Sequence, residues 1–298
     1  GSESGYLGFL RDSPSAAQRL CHVLSNSRFL GDALNKSVES VTWLGNDDSL
    51  QPRSRESLDI QTKATLERNA GNINDFANSI RAMRRHEIER IGLAWMSGVI
   101  DDEASLAGMT DVYDAAIEAS LQWAIQHRIN DIQIDEAPAA IAIIGMGRYG
   151  GREVNFSSDA DVIIIYRPAE GADDDQANLF ARKVQEDLRA ILQGPTTFEP
   201  KIELDMDLRP EGKNGPLVRS YASCEEYYRS WASTWEHQAL LRARYAAGDA
   251  SLAEDFLMNI ADPLRYPKID LTETQIAEIR KLKARMEAER LPRGVRRD

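Results

Sequence analysis

Asp159 and Asp161 are separated by one residue and open an apolar run that continues to Tyr166. In an extended strand, residues i and i+2 leave the same face, so both carboxylates can share one divalent cation. Upstream, Ile141–Ile144 is a second apolar, β-branched run, and it ends in Gly145-Met146-Gly147-Arg148-Tyr149-Gly150-Gly151. A glycine-rich turn after a strand offers backbone N–H groups to a phosphate. Ser157 and Ser158 stand immediately before the aspartates and can donate hydrogen bonds to the same phosphate. A carboxylate pair beside a phosphate cradle is the minimum equipment for metal-assisted chemistry on a nucleotide.

A third source of carboxylates lies downstream. Residues 198–208 read as a strand, with Ile202, Leu204, Met206 and Leu208 alternating with charge. Glu203, Asp205 and Asp207 share its other face, and one of them can join the pair if the strands are neighbours. Three carboxylates around one or two cations fit the two-metal pattern of phosphoryl transfer. Oxygen-only ligands favour Mg²⁺ or Mn²⁺ over zinc.

Two other readings compete. Gly145-x-Gly147-x-x-Gly150 after a strand also matches the dinucleotide fingerprint. That fingerprint expects a helix directly after the turn and a ribose-binding acid at the end of the next strand. Here two acids stand at the start of that strand. The second competitor is a solvated strand start, where Ser and Asp are common turn residues. It leaves the glycine turn and the third acidic segment without a purpose.

The rest of the chain has to position these groups. With 298 residues, 42% of them hydrophobic, it can build more than one packed region. Residues 1–136 read as a helical region. Ser13-Pro14 starts one helix; the polar stretch 54–69 reads as the approach to and start of another, and further helices cover 74–96 and 112–126, with Asp101-Asp102 and Thr110-Asp111 as caps. Arg81, Arg84, Arg85 and Arg90 read as a solvated face, with the alternative that some of them face the nucleotide. Residues 137–220 read as the core, with strands at 139–144 and 162–166 and a helix over 173–193. Residues 221–298 return to helix, at 224–244 and 272–290. The expected fold class is α+β, a small mixed sheet flanked by helical regions.

Composition narrows the partners. Thirty-six basic residues against 48 acidic ones leave a net charge of -12, which disfavours nucleic acid as a partner. The two cysteines and four histidines show no metal-ligand spacing. No apolar run approaches the ~20 residues of a membrane span, and no signal peptide is read. The expected location is the cytoplasm. Gly1-Ser2 reads as an added remnant, and the charged run Arg293–Asp298 reads as an edge rather than a natural end.

The string GMGRYGGREVNFSSDADVIIIY resembles the signature of the DNA polymerase β-like nucleotidyltransferases, and within them the glutamine synthetase adenylyltransferase family. Leu204–Gly212, continued by Gly215–Ser220, resembles that family's D-x-R-L-R-P-x-G segment, and Trp235–Arg244 resembles a third motif. The resemblance implies a polymerase β-like core and transfer of AMP from ATP to a tyrosine of glutamine synthetase. It implies Asp159, Asp161 and Asp205 as metal ligands and catalytic groups. Gly147, Gly150, Gly151, Ser157 and Ser158 correspond to the triphosphate-binding turn. Arg209 corresponds to a phosphate contact, with a structural salt bridge as the alternative; Arg242 and Arg244 carry the same two possibilities. Asp207 stands where the family usually has Arg. Trp235 and Tyr228 read as core rather than as adenine platforms. The family carries two such heads, one removing AMP by phosphorolysis and one adding it. The third motif and the tail resemble the C-terminal, adenylylating head of actinobacterial members. The alternatives are the deadenylylating head, or a silent module that binds nucleotide or a PII-type signalling protein. PII-type proteins are expected to act through the full-length enzyme.

Overall fold

The two apolar runs that bracket the glycine turn pair with each other. In the computed structural model, which describes residues 2–195, 199–268 and 270–290, β1 (Ala139–Gly145) lies antiparallel to β2 (Ala160–Pro168), with Ile141 opposite Tyr166 and Ile144 opposite Ile163. Their continuous hydrophobicity has a physical reason: both faces of the sheet are covered. Ile141, Ile143, Val162 and Ile164 face one helical layer, while Ala142, Ile144, Ile163 and Ile165 face another.

The first layer is built before the sheet. Short helices α1 (Ser2–Asp12), α2 (Pro14–Asn26), α3 (Arg28–Lys36), α4 (Asp47–Leu50) and α5 (Arg55–Arg68) lead into α6 (Ile73–Met96) and α7 (Asp102–Asp131). Ser13 and Pro14 take the N-cap and first helical positions of α2 as expected. Asp101 caps α7 through the Ala104 N–H, at 2.8 Å. Thr110-Asp111 is not a cap: it lies inside this 30-residue helix, with the Thr110 hydroxyl on the Leu106 carbonyl. The glycine turn carries the short α8 (Gly147–Gly150), and α9 (Asp174–Gln193) follows β2 and packs beside α7.

The segment expected as a long third strand contributes two ladder residues, β3 (Leu204–Asp205), parallel to β2; Phe198 lies outside the described residues. The Asp205 carboxylate takes the Asp207 N–H at 2.7 Å, a turn that removes the chain from the ladder. After it, β4 (Val218–Ser220) also lies parallel to β2.

The single helix expected over 224–244 is several elements: α10 (Tyr221–Ser230), α11 (Thr234–Ala239) and a 3₁₀ turn at Leu240–Arg242. The Glu236 carboxylate takes both the Ser233 N–H and the Ser233 hydroxyl, so a capping box restarts the helix. Residues 244–248 then form β5 (Arg244–Gly248), antiparallel to β1, so the sheet order is β3-β2-β1-β5 with β4 also on β2. The closing helices α12 (Ala250–Phe256) and α13 (Asp262–Arg265) lead to α14 (Glu273–Arg290). Phe256, Leu252 and Tyr228 fill the second layer. The run Arg293–Asp298 lies outside the described residues.

Candidate active site

Strand register brings the carboxylates together. Asp161 of β2 stands directly beside Asp205 of β3, and Asp159 precedes β2 by one residue. One oxygen from each of Asp159, Asp161 and Asp205 lies within 4.8 Å of the others. Burial, with the charges of Asp159 and Asp205 added to it, pushes the Asp161 carboxyl up to about 6, and Arg148 opposes the shift. Asp207 does not join the group: its carboxylate is 3.2 Å from Lys213 Nζ and 3.8 Å from Arg209.

The glycine turn is fitted against this cluster. Gly147 has φ +53°, and a Cβ there would fall on Asp161 Oδ2. A Cβ at Gly150 would fall on the carbonyl oxygens of Arg242 and Gly145. The Met146 N–H donates to the Asp161 carbonyl at 2.8 Å, which fastens the turn to the strand carrying the acids. The Arg242 side chain lies over Gly151 and pairs with Glu153.

The two serines differ. Asn155 Oδ1 accepts from the Ser157 N–H, the Ser157 hydroxyl and the Ser158 hydroxyl. Ser158 Oγ also accepts from the Asn155 N–H at 3.0 Å, so its hydroxyl is engaged within the turn. Ser157 remains exposed at the cleft. Behind them, Tyr113 donates to the Ser158 carbonyl, and Arg84 donates to Tyr113 Oη at 2.7 Å.

The candidate phosphate-binding arginines also separate. The buried Arg209 guanidinium donates to the carbonyls of Gly215, Met206 and Lys213, which closes the loop between β3 and β4. Arg244 grips both oxygens of Asp114, at 2.8 and 3.0 Å, over the Tyr149 ring. Tyr228 is buried, while Trp235 is partly exposed.

Asp159 and Asp205 open onto a cleft of about 740 Å³ lined also by Arg84, Arg189, Lys201 and Lys213. The expected solvated face of α6 does not exist. Arg81 is buried on α9, Arg85 pairs with Glu199, Arg90 stacks on Trp43, and Arg84 reaches the cleft. Asn155, Arg189, Lys201 and Lys213 were not marked by any sequence pattern. Asn155, two residues before a Ser-Ser pair, carries an Asx-turn signal that could have been used.

A cleft of this kind holds oxygen ligands for a hard cation, cations for phosphate, and space for a nucleotide. Residues 17–259 match the family model described as glutamate-ammonia ligase adenylyltransferase. A bifunctional glutamine synthetase adenylyltransferase/adenylyl-removing enzyme of Bifidobacterium longum (strain DJO10A) is 77% identical over the whole chain, which covers 28% of that relative. Relatives of the same name from Mycobacterium avium (strain 104) and Mycobacterium tuberculosis (strain CDC 1551 / Oshkosh) are each 42% identical. They match 98% and 99% of this chain, which covers 30% and 29% of their own lengths. The chain thus spans less than a third of the curated relatives it matches.

Proposed function

The chain belongs to the glutamate-ammonia ligase adenylyltransferase family, and from that premise we propose that it is a nucleotidyltransferase head that moves AMP from ATP to a tyrosine hydroxyl of glutamine synthetase. The observation that carries this reading is the convergence of Asp159, Asp161 and Asp205 beside the glycine turn.

The carboxylates fit a divalent cation. They supply only oxygen, they lie close together, and the Asp161 carboxyl is raised by burial and by its carboxylate neighbours despite Arg148, which a bound cation would relieve. Mg²⁺ or Mn²⁺ bound there would neutralise the triphosphate and polarise the reacting oxygens. The Gly147 N–H and the exposed Ser157 hydroxyl orient the β- and γ-phosphates, while the Gly150 and Gly151 N–H groups close the turn on the Met146 and Gly147 carbonyls. Ser158 and Asn155 hold the shape of the turn before Asp159, and Arg209 holds the loop that follows Asp205. The tyrosine oxygen attacks the α-phosphorus in line; the bond from that phosphorus to the bridging oxygen breaks, and pyrophosphate leaves. Asp205 takes the phenolic proton, because an unperturbed tyrosine, with a pKa of about 10, is a weak nucleophile at neutral pH.

The relatives' printed name joins two activities, so the second reading is the adenylyl-removing head. In that direction phosphate attacks adenylyl-tyrosine and ADP leaves. The third motif, Trp235–Arg244, supports the adenylylating direction. A silent module that binds nucleotide or a PII-type protein has no need of all three carboxylates. The proposed partners are glutamine synthetase as substrate and a PII-type protein through the full-length enzyme, without nucleic acid or membrane, in the cytoplasm. No described helix is long and apolar enough to cross a membrane.

The test uses glutamine synthetase, Mg²⁺ and ATP labelled at the α-phosphorus. Wild type is expected to label the synthetase, and Asp159→Ala to lower the rate at least 100-fold. Undiminished labelling by Asp159→Ala would overturn the site assignment. Phosphate-dependent ADP release from modified synthetase, without incorporation, would select the removing head.

A further inference from the structure

One face of α9 carries Asn178, Arg182, Gln185 and Arg189, at the spacing that places side chains in one row along a helix. These residues wall a second hollow of about 600 Å³, whose opposite wall is Gly215–Val218. Arg189 and Leu217 line both this hollow and the catalytic cleft, so the two are continuous. Asp205 stands beside Asp161 on β2, and Val218 stands beside Ile164 on the same strand and the same edge. Three strand residues correspond to roughly 10 Å, and the row from Arg189 to Asn178 to roughly 16 Å. The hollow is therefore a trough leading away from the carboxylates, long enough for an extended peptide of about five residues.

Its chemistry calls for an anion. Neither Arg182 nor Arg189 has a carboxylate oxygen within ion-pair distance among the described residues, although the protein as a whole is acidic. Glu186, the acid on this wall, is held by Lys183 Nζ at 2.8 Å. Gln185 is 4% exposed, and its Nε2 has no acceptor. An amide donor buried without a partner keeps its full desolvation penalty, which a ligand bringing an oxygen would recover.

We propose that this trough seats the segment of the protein substrate next to the target tyrosine, and that Arg182, with Gln185 beside it, reads a carboxylate on that segment. The proposal rests on the protein-adenylylating reading given above. Charge complementarity and continuity with the cleft select an acidic peptide, and the distance puts the recognised side chain about three residues or more from the tyrosine. Arg182 is then a specificity residue that touches neither nucleotide nor the reacting atoms.

The experiment compares wild type, Arg182→Glu and Arg182→Lys in the whole protein, with glutamine synthetase and α-labelled ATP. Arg182→Glu should raise KM for the synthetase at least ten-fold, with kcat and calorimetric ATP affinity within two-fold of wild type. Arg182→Lys should stay within about three-fold of wild type in KM. A Lys replacing one acidic residue near the target tyrosine should restore part of the Arg182→Glu loss. An unchanged KM in Arg182→Glu would overturn the proposal, as would a KM rise matched by an equal loss of ATP affinity. If added phosphate or another small anion moves activity through Arg182 while KM for the synthetase stays fixed, the trough is an effector pocket and the proposal fails. A wild-type protein that labels no synthetase would instead overturn the underlying function.

Discussion

Gly147 is where backbone conformation and chemistry meet. Its φ of +53° is costly for any residue with a Cβ, and that Cβ would fall on Asp161 Oδ2. Gly147→Ala should cost about 1–2 kcal/mol of stability and lower AMP transfer at least 100-fold, read by denaturation and by label incorporation. A rate within ten-fold of wild type would mean that the turn does not set the position of Asp161. Glu89 tests a different residue-scale effect. It is 1% exposed, and burial pushes its carboxyl from 4.5 up to about 7 against the pull of the Ser40 hydroxyl, Arg85 and Arg90. The folded value is the raised one, so the folded state holds the proton longer. The stability this confers is present below about pH 4.5 and is lost as pH rises through about 7. Glu89→Gln should therefore match wild type near pH 4 and exceed it by about 1–3 kcal/mol at pH 8, measured by thermal or urea unfolding. At this scale the Asp159–Asp161 pair was legible because a period of two survives any register; alternation narrowed the third carboxylate to Glu203, Asp205 and Asp207, and the family resemblance singled out Asp205. Arg84 was not legible: a basic residue on a periodic helix reads the same whether it faces water or a cleft.

The pairing of α6 with α9 shows what helical periodicity conceals. Arg81 is fully buried and donates to the carbonyls of Ile191 and Gly194 at 2.8 and 2.9 Å, at the C-terminal end of α9. A cation at that end also meets the negative end of the helix dipole. Arg81→Ala removes this cap from the helix that carries Arg189 and the trough, and should destabilise the fold by about 2–4 kcal/mol, seen as a fall in urea midpoint. A loss under 0.5 kcal/mol would contradict the capping role. The strands show the opposite lesson. β1 and β2 were readable because both faces are buried, so their apolar runs are unbroken. Only two residues of the alternating run around Asp205 join the ladder, because the Asp205 side chain competes for the Asp207 N–H. β5 was concealed because Arg244, Ala246 and Ala247 extend a helical-looking pattern, and nothing local announces that β1 has a free edge to be filled.

For the molecule as a whole, net charge conceals where the cations gather. The chain carries -12, yet Arg84, Arg189, Lys201 and Lys213 meet around one cleft. Overall acidity disfavours a polyanionic partner such as nucleic acid; local cations are what the proposed small polyphosphate and short acidic segment would need. The fold positions that cluster through non-local contacts: α6 supplies Arg84, α9 supplies Arg189, and the loop before β4 supplies Lys213. Composition alone could not show this. The measurement that bears most directly on the proposed chemistry is a comparison of two labels on ATP, incubated with wild type, glutamine synthetase and Mg²⁺. Label at the α-phosphorus should appear on a synthetase tyrosine, while label at the γ-phosphorus should leave as pyrophosphate. Transfer of the γ label, or the absence of α label from the synthetase, would contradict AMP transfer by this head.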